Sequence, residues 1–294
     1  MDLAKTTQRS KLIGWLPLAI LTLVALVFFN SLEPWVFMWS LAISIYAGLK
    51  WLSWWKVPTT AGPWRSLAYL LAWPGMEAEA FLDPNKTVQP PQLLTCFWAV
   101  LETGLGVLLL WVVARTLPSS QPMLRGWTGM VGLILLLHFG SFQLVALLWQ
   151  SLGICAMPIM SSPLRSRSLS EFWGKRWNLG FRQLSHDLIF SPLHGSLGVG
   201  ATGFLVFIVS GIIRDLVISV PARGSYGLPT LYFALQGLGV AVERSSFGKQ
   251  LGLRRGIRGW LFMAVVTLAP IMLLFHRAFV LRVVIPFMKA IHSI

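Results

Sequence analysis

The sequence predicts an all-α integral membrane protein, with about seven to eight transmembrane helices, an interfacial helix and re-entrant segments. Three observations carry that expectation. Hydrophobic residues make up 55% of the 294 and charged residues only 12%, at a mean hydropathy of +0.69. That leaves too little polar surface to coat a soluble globule of this length. The apolar residues gather into runs near the ~20 needed to cross a bilayer. The basic residues stand between those runs, as in cytoplasmic loops. The formal net charge of +14 therefore points to membrane lipids and an anionic cosubstrate as partners, and no nucleic acid partner is expected. The whole chain, 1–294, reads as one multi-pass membrane domain.

Taken in order, Lys5, Arg9 and Lys11 precede an apolar run from Leu12 to Phe29. At roughly 18 residues it is long enough to span, and it lacks the small-residue cleavage site of a signal peptide. A second run, Trp35 to about Leu49, follows the turn Asn30–Pro34, so residues 1–62 read as a helical hairpin with a cytoplasmic N-terminus. Lys50, Lys56 and Arg65 mark the next loop as cytoplasmic. Residues 64 to 75 are apolar but too short to cross, and they read as a re-entrant or surface segment. Glu77 to Pro91 reads as a polar loop, with Pro90 and Pro91 starting the next helix.

The third span, Leu93 to Val113, contains Glu102, and the fourth, Trp127 to Trp149, contains His138. An ionisable group inside a span costs several kcal/mol unless it faces protein or water, so both are candidate functional groups. For His138 the competing reading is a hydrogen-bonded packing element. A fifth span covers about Leu197 to Ile213, followed by a Gly/Pro-punctuated turn from Ala222 to Pro229. A sixth runs from Leu231 to Val242, and a seventh from Trp260 to Phe275 after a basic loop with Lys249, Arg254, Arg255 and Arg258. The tail from His276 reads as amphipathic or as part of an eighth segment.

The most charged polar stretch is Pro163 to Asn178. Ser168 stands three residues before Glu171, the capping-box spacing, so a helix is expected to begin there. Continued at helical spacing, Trp173, Trp177, Phe181 and Leu184 fall on one side, and Asn178, Arg182, Ser185 and His186 on another. Indole rings favour the headgroup boundary and basic side chains favour anionic groups, so such a helix would lie in the membrane plane.

Several chemistries are not signalled. Cys96 and Cys155 lie in apolar surroundings without metal-ligand spacing, and they read as core residues. No Gly-rich loop ends in Lys-Ser or Lys-Thr, and no nucleophile elbow is present. Neither a metal nor a resident cofactor is expected.

Residues 162 to 178, Ser-Pro-Leu-Arg-Ser-Arg-Ser-Leu-Ser-Glu-Phe-Trp-Gly-Lys-Arg-Trp-Asn, resemble the signature of the wax synthase branch of the membrane-bound O-acyltransferase superfamily. The likeness extends to Leu136–Gly140, Phe207–Leu216, Tyr226–Phe233, and Gln236-Gly237 with Glu243. The resemblance implies a helical enzyme with a chamber in the bilayer and an acyltransferase core over 93–275. There an acyl group passes from acyl-CoA, as cosubstrate, to the hydroxyl of a lipid alcohol. It also implies that Asn178 is the asparagine of the interfacial helix. Trp173 and Trp177 would line the substrate site, and Lys175, Arg176 and Arg182 would hold the phosphates of coenzyme A, since basic groups match phosphate chemistry.

The resemblance breaks at one position. Arg214 stands where the family carries its histidine general base, and a guanidinium stays protonated at any biological pH. Asp215 is adjacent in sequence but points to a different helix face. Three readings follow: an acyltransferase fold with impaired or absent activity, an active acyltransferase whose base is His138 or His186 or whose acceptor needs little help, and a lipid-binding or transport protein on the same scaffold.

Overall fold

A computed structural model describes residues 11–58 and 61–294; Lys5 and Arg9 lie outside the described residues. The regular structure of the described residues is all helical, with no strand among them. The helices are α1 (Lys11–Val27), α2 (Pro34–Lys56), α3 (Pro63–Ala72), α4 (Ala78–Leu82), α5 (Leu93–Thr116) and α6 (Pro122–Ser151). They continue as α7 (169–176), α8 (Leu179–Ala222), α9 (Leu228–Arg244), α10 (Gly256–Leu274) and α11 (277–290). Five of these, α2, α5, α6, α8 and α10, are long and apolar enough to cross a membrane.

Helix α1 packs along α2. Lys50 does not lie in the loop after it. Helix α2 runs on to Lys56, and Lys50 is 1% exposed inside it. Its ammonium donates to the Gly75 carbonyl and sits 3.4 Å from the centre of the Tyr69 ring. A lysine at the end of an apolar run looks like a loop residue because its partners are 19 and 25 positions away. The stretch 77–91 is also less loop-like than its polarity suggests. Helix α4 sits inside it and buries Phe81 and Leu82 beside Trp73 and Trp149. Pro90 and Pro91 precede the next helix, which begins at Leu93.

The largest core cluster joins Leu110 of α5, Met130 of α6, Ile218 of α8, Tyr232 and Phe233 of α9, and Val280, Val283 and Met288 of α11. The tail from His276 is thus a core helix. His276 caps it by accepting from the Phe279 amide at 3.2 Å. The seventh expected span is interrupted at Pro270.

The fifth span is longer than its apolar stretch. It is part of α8, which continues to Ala222, with a kink at Gly198 where φ is 78°. Helices α8 and α9 pack tightly at Gly211, where an added Cβ would lie 2.6 Å from the Thr230 Cα. The turn between them is tied by Asp215. Its carboxylate accepts from the Gly227 amide at 2.9 Å, the Thr230 amide at 3.0 Å, the Ser219 hydroxyl at 2.7 Å, and the Thr230 hydroxyl. A carboxylate at the start of α9 is favoured by the helix dipole and its free amides. Asp215 is therefore fully engaged away from Arg214, as its helix face requires.

One expectation about the interfacial segment is corrected. A helix does begin after Ser168, but it does not continue to His186. It stops at Trp177, whose backbone is extended, and Asn178 takes the left-handed conformation at φ 46°. Asparagine tolerates that region better than most residues. A new helix, α8, then starts in a different direction, so the two faces expected of one continuous helix fold around a common space.

Candidate active site

The site is built on the start of α7. The Ser168 hydroxyl accepts from the Glu171 amide at 3.0 Å, and Glu171 reaches back to the Arg167 amide at 2.8 Å. This is the capping box of the sequence, shifted by one residue at its return bond. The other Glu171 oxygen holds Arg176 at 2.7 Å, and Arg176 also donates to the carbonyl of Ser161 at 3.1 Å. The Arg167 amide, and then the Arg176 guanidinium, keep the Glu171 carboxyl below the usual carboxylate range. A second carboxylate, on fully buried Glu243 of α9, accepts from the Leu169 amide at 2.5 Å and the Ser170 amide at 3.1 Å. Between them the two acids satisfy amides that the helix start leaves free.

Trp173 is set by a relay across the fold. Its indole N–H donates to the Gln236 side-chain oxygen at 3.3 Å, while the Gln236 amide donates to the Val266 carbonyl at 2.8 Å. Its ring packs against Phe207 and Phe233. Trp177 stacks on Phe172 at 5.4 Å and meets Phe139 edge-on at 6.3 Å. Asn178 caps α8 by accepting from the Phe181 amide at 3.3 Å.

These residues enclose a cavity of about 310 Å³, at the lower end of the ~300–1,000 Å³ typical of small-molecule sites. Its wall is mainly aromatic: Trp173, Trp177, Phe181, Phe190, Phe207 and Phe233. Arg182, Arg214 and Arg244 also line it, and no carboxylate among the described residues does. Arg214 donates to the Ser210 carbonyl at 3.0 Å, and its guanidinium carbon lies 4.2 Å from the centre of the Phe233 ring and 5.1 Å from that of Phe181. Cation–π contact of this kind replaces part of the lost hydration of a buried cation.

Of the residues singled out from sequence, Trp173, Trp177, Asn178, Arg182 and Arg214 meet at this cavity. Arg176 is engaged in holding α7, and exposed Lys175 does not line the cavity. His138 sits in a wide π-helical turn of α6, with its ring edge-on to Phe142 and its Nδ1 without a hydrogen-bond partner among the described residues. It lies outside the cavity, although the next residue, Phe139, touches Trp177. Glu102 is half-buried on α5 and likewise outside. Sequence reasoning missed Arg244, which lines the cavity and donates to the Ser170 hydroxyl at 3.3 Å, and it missed the role of Gln236. Of the cysteines, Cys155 is buried and Cys96 half-buried, and both are free thiols.

The sequence profile of the membrane bound O-acyl transferase family matches residues 156–235. Every cavity-lining residue except Val240 and Arg244 falls within that stretch. Among similar proteins is a probable long-chain-alcohol O-fatty-acyltransferase 9 of Arabidopsis thaliana, 33% identical over 117 residues, or 35% of this chain and 34% of that protein. A long-chain-alcohol O-fatty-acyltransferase of Simmondsia chinensis is 28% identical over 129 residues, or 40% of this chain and 36% of that one. The alignments thus span about a third of the length of each relative.

Proposed function

We propose that this protein is a membrane-embedded, wax ester synthase-like O-acyltransferase that moves a fatty acyl group from acyl-CoA to the hydroxyl of a lipid alcohol. The observation that carries the reading is the cavity itself. It is aromatic-walled, lined by three arginines and no carboxylate, and built almost wholly from the family segment. An apolar wall suits an acyl chain and a lipid alcohol, while an uncompensated positive lining suits a thioester donor that carries phosphates. Arg182 and Arg244 are the phosphate partners in this account, in place of Arg176.

Arg214 takes a role other than base. When an alkoxide adds to a thioester carbonyl, negative charge gathers on the carbonyl oxygen, and a fixed cation beside it stabilises it. The side-chain NH₂ of Asn178 has no protein partner among the described residues and supplies a second donor. The acyltransferase core occupies 93–275, and the N-terminus and the basic segments 163–182 and 244–258 face the cytoplasm.

The test is acyl transfer from labelled long-chain acyl-CoA to a fatty alcohol, a diacylglycerol and a sterol by the purified protein. The expected result is ester formed with at least one acceptor, reduced tenfold or more in Asn178→Ala. The absence of a base at position 214 favours one other reading, a lipid-binding scaffold without turnover. A silent parent that gains transfer on Arg214→His would establish that reading and overturn the first.

A further inference from the structure

If the chain transfers acyl groups, a proton must leave the acceptor hydroxyl, and the cavity wall contains one group suited to take it. Among the described residues, no Asp, Glu, Lys, Cys or Tyr lines the cavity. The chain has five histidines, and His186 is the one that lines the cavity. The nitrogens of His276 are occupied by the Phe279 amide and the Ser219 hydroxyl. His194 is turned onto the backbone carbonyls of Ser191 at 2.8 Å and Phe190 at 3.3 Å.

His186 is also oriented. Its Nδ1 lies 3.1 Å from the Asp187 carboxylate, and that carboxylate is held by the Gln183 side-chain amide at 3.0 and 3.2 Å. Its ring lies flat on Phe190, 5.6 Å between centres and 22° between planes. With Nδ1–H donated to Asp187, the lone pair is on Nε2, which has no partner among the described residues. The ring sits in a wide π-helical turn at His186–Phe190. Such turns re-aim side chains and often occur at functional sites.

We propose that His186 is the general base of this chain, with Asp187 and Gln183 as positioning residues, so that the proton-transfer role has moved across the cavity from position 214. This rests on the acyltransferase reading above. The step balances. Nε2 takes the hydroxyl proton as the alcohol oxygen bonds to the thioester carbon. The tetrahedral intermediate then collapses, the carbon–sulfur bond breaks, and the imidazolium returns the proton to the departing thiolate of coenzyme A.

The experiment compares the full-length parent, His186→Ala, Asp187→Asn and Asp187→Glu in acyl-CoA-to-alcohol transfer, alongside binding of a non-hydrolysable thioether analogue of acyl-CoA. The expected result is a fall of about 10²- to 10⁴-fold in kcat for His186→Ala. Analogue binding should be unchanged, and added imidazole should restore several-fold of the rate. Asp187→Asn should lower kcat about tenfold or more without moving KM, with recovery in Asp187→Glu. A His186→Ala variant that matches a working parent overturns this proposal alone. Loss of analogue binding together with rate overturns it too, by making His186 structural. A parent that binds the analogue and turns nothing over overturns both this proposal and the acyltransferase reading.

Discussion

Two cations on spanning helices, one fully buried and one half-buried, have no carboxylate partner among the described residues, and the difference between them separates structure from chemistry. Lys50 and Arg214 both lie against aromatic rings, and both donate to a backbone carbonyl. Around Lys50 everything is closed: Ser53 bonds both the Lys50 carbonyl at 2.8 Å and the Tyr69 hydroxyl at 2.6 Å, and Gly75 is held against α2. Around Arg214 one side is open, because the guanidinium faces a cavity with two further arginines. A cation whose neighbours are all protein is part of the packing, whereas one that faces open space is available to a ligand.

The comparison breaks if the two sites fail to give opposite phenotypes. Arg214→Leu is expected to lower acyl transfer by about 10²- to 10³-fold while leaving the thermal unfolding midpoint near that of the parent, measured in the same detergent. Lys50→Ala is expected to do the reverse. It leaves the Gly75 carbonyl unpaired and a void under Tyr69, costing about 2–4 kcal/mol of stability, and activity per folded molecule should stay at the parent level. A smaller effect is expected at the α7 cap, where Ser168→Ala should cost about 1 kcal/mol, read as a lower midpoint.

The smallest concerns pH. Because the folded state holds the Glu171 carboxyl below its ordinary value, its contribution is present above the unfolded pKa and is lost as pH falls through the folded one. Stability measured between pH 7 and pH 3 should therefore fall less steeply in Glu171→Gln than in the parent.

Local features of the fold were legible in the sequence because their signals are local. Apolar runs gave the helices, five of which are long and apolar enough to cross a membrane where seven to eight were expected; Ser168 and Glu171 gave the start of α7, and the Gly/Pro cluster gave the turn before α9. What escaped depends on distant partners. Lys50 reads as a loop lysine until Gly75 and Tyr69 are placed beside it. The Trp173 to Gln236 bond joins residues 63 apart, and the bond between Arg244 and Ser170 joins residues 74 apart. The break at Asn178 was open to a closer reading, since an asparagine before Leu-Gly is a plausible left-handed cap. The helical pattern on either side hid it. Trp173, Trp177, Asn178, Arg182 and Arg214, singled out from scattered parts of the sequence, line one cavity. The engagement of Arg176 by Glu171 and the Ser161 carbonyl was not legible there, because a basic residue in a signature does not reveal what its own helix start already holds.

The most direct test of the account is to fill the cavity without disturbing its wall. Gly203 lines it, and a Cβ added there meets nothing within 4 Å, so Gly203→Phe can place a ring in the space proposed for the acyl chain. Transfer from labelled acyl-CoA to a long-chain alcohol would be measured for this variant beside the parent, with thermal unfolding as the check on folding. At least a tenfold loss of transfer is expected, with the midpoint unchanged or higher, since Gly in a helix interior costs roughly 0.5–1 kcal/mol relative to Ala. Equal transfer by a well-folded Gly203→Phe would contradict it, because the reaction would then take place somewhere other than this cavity.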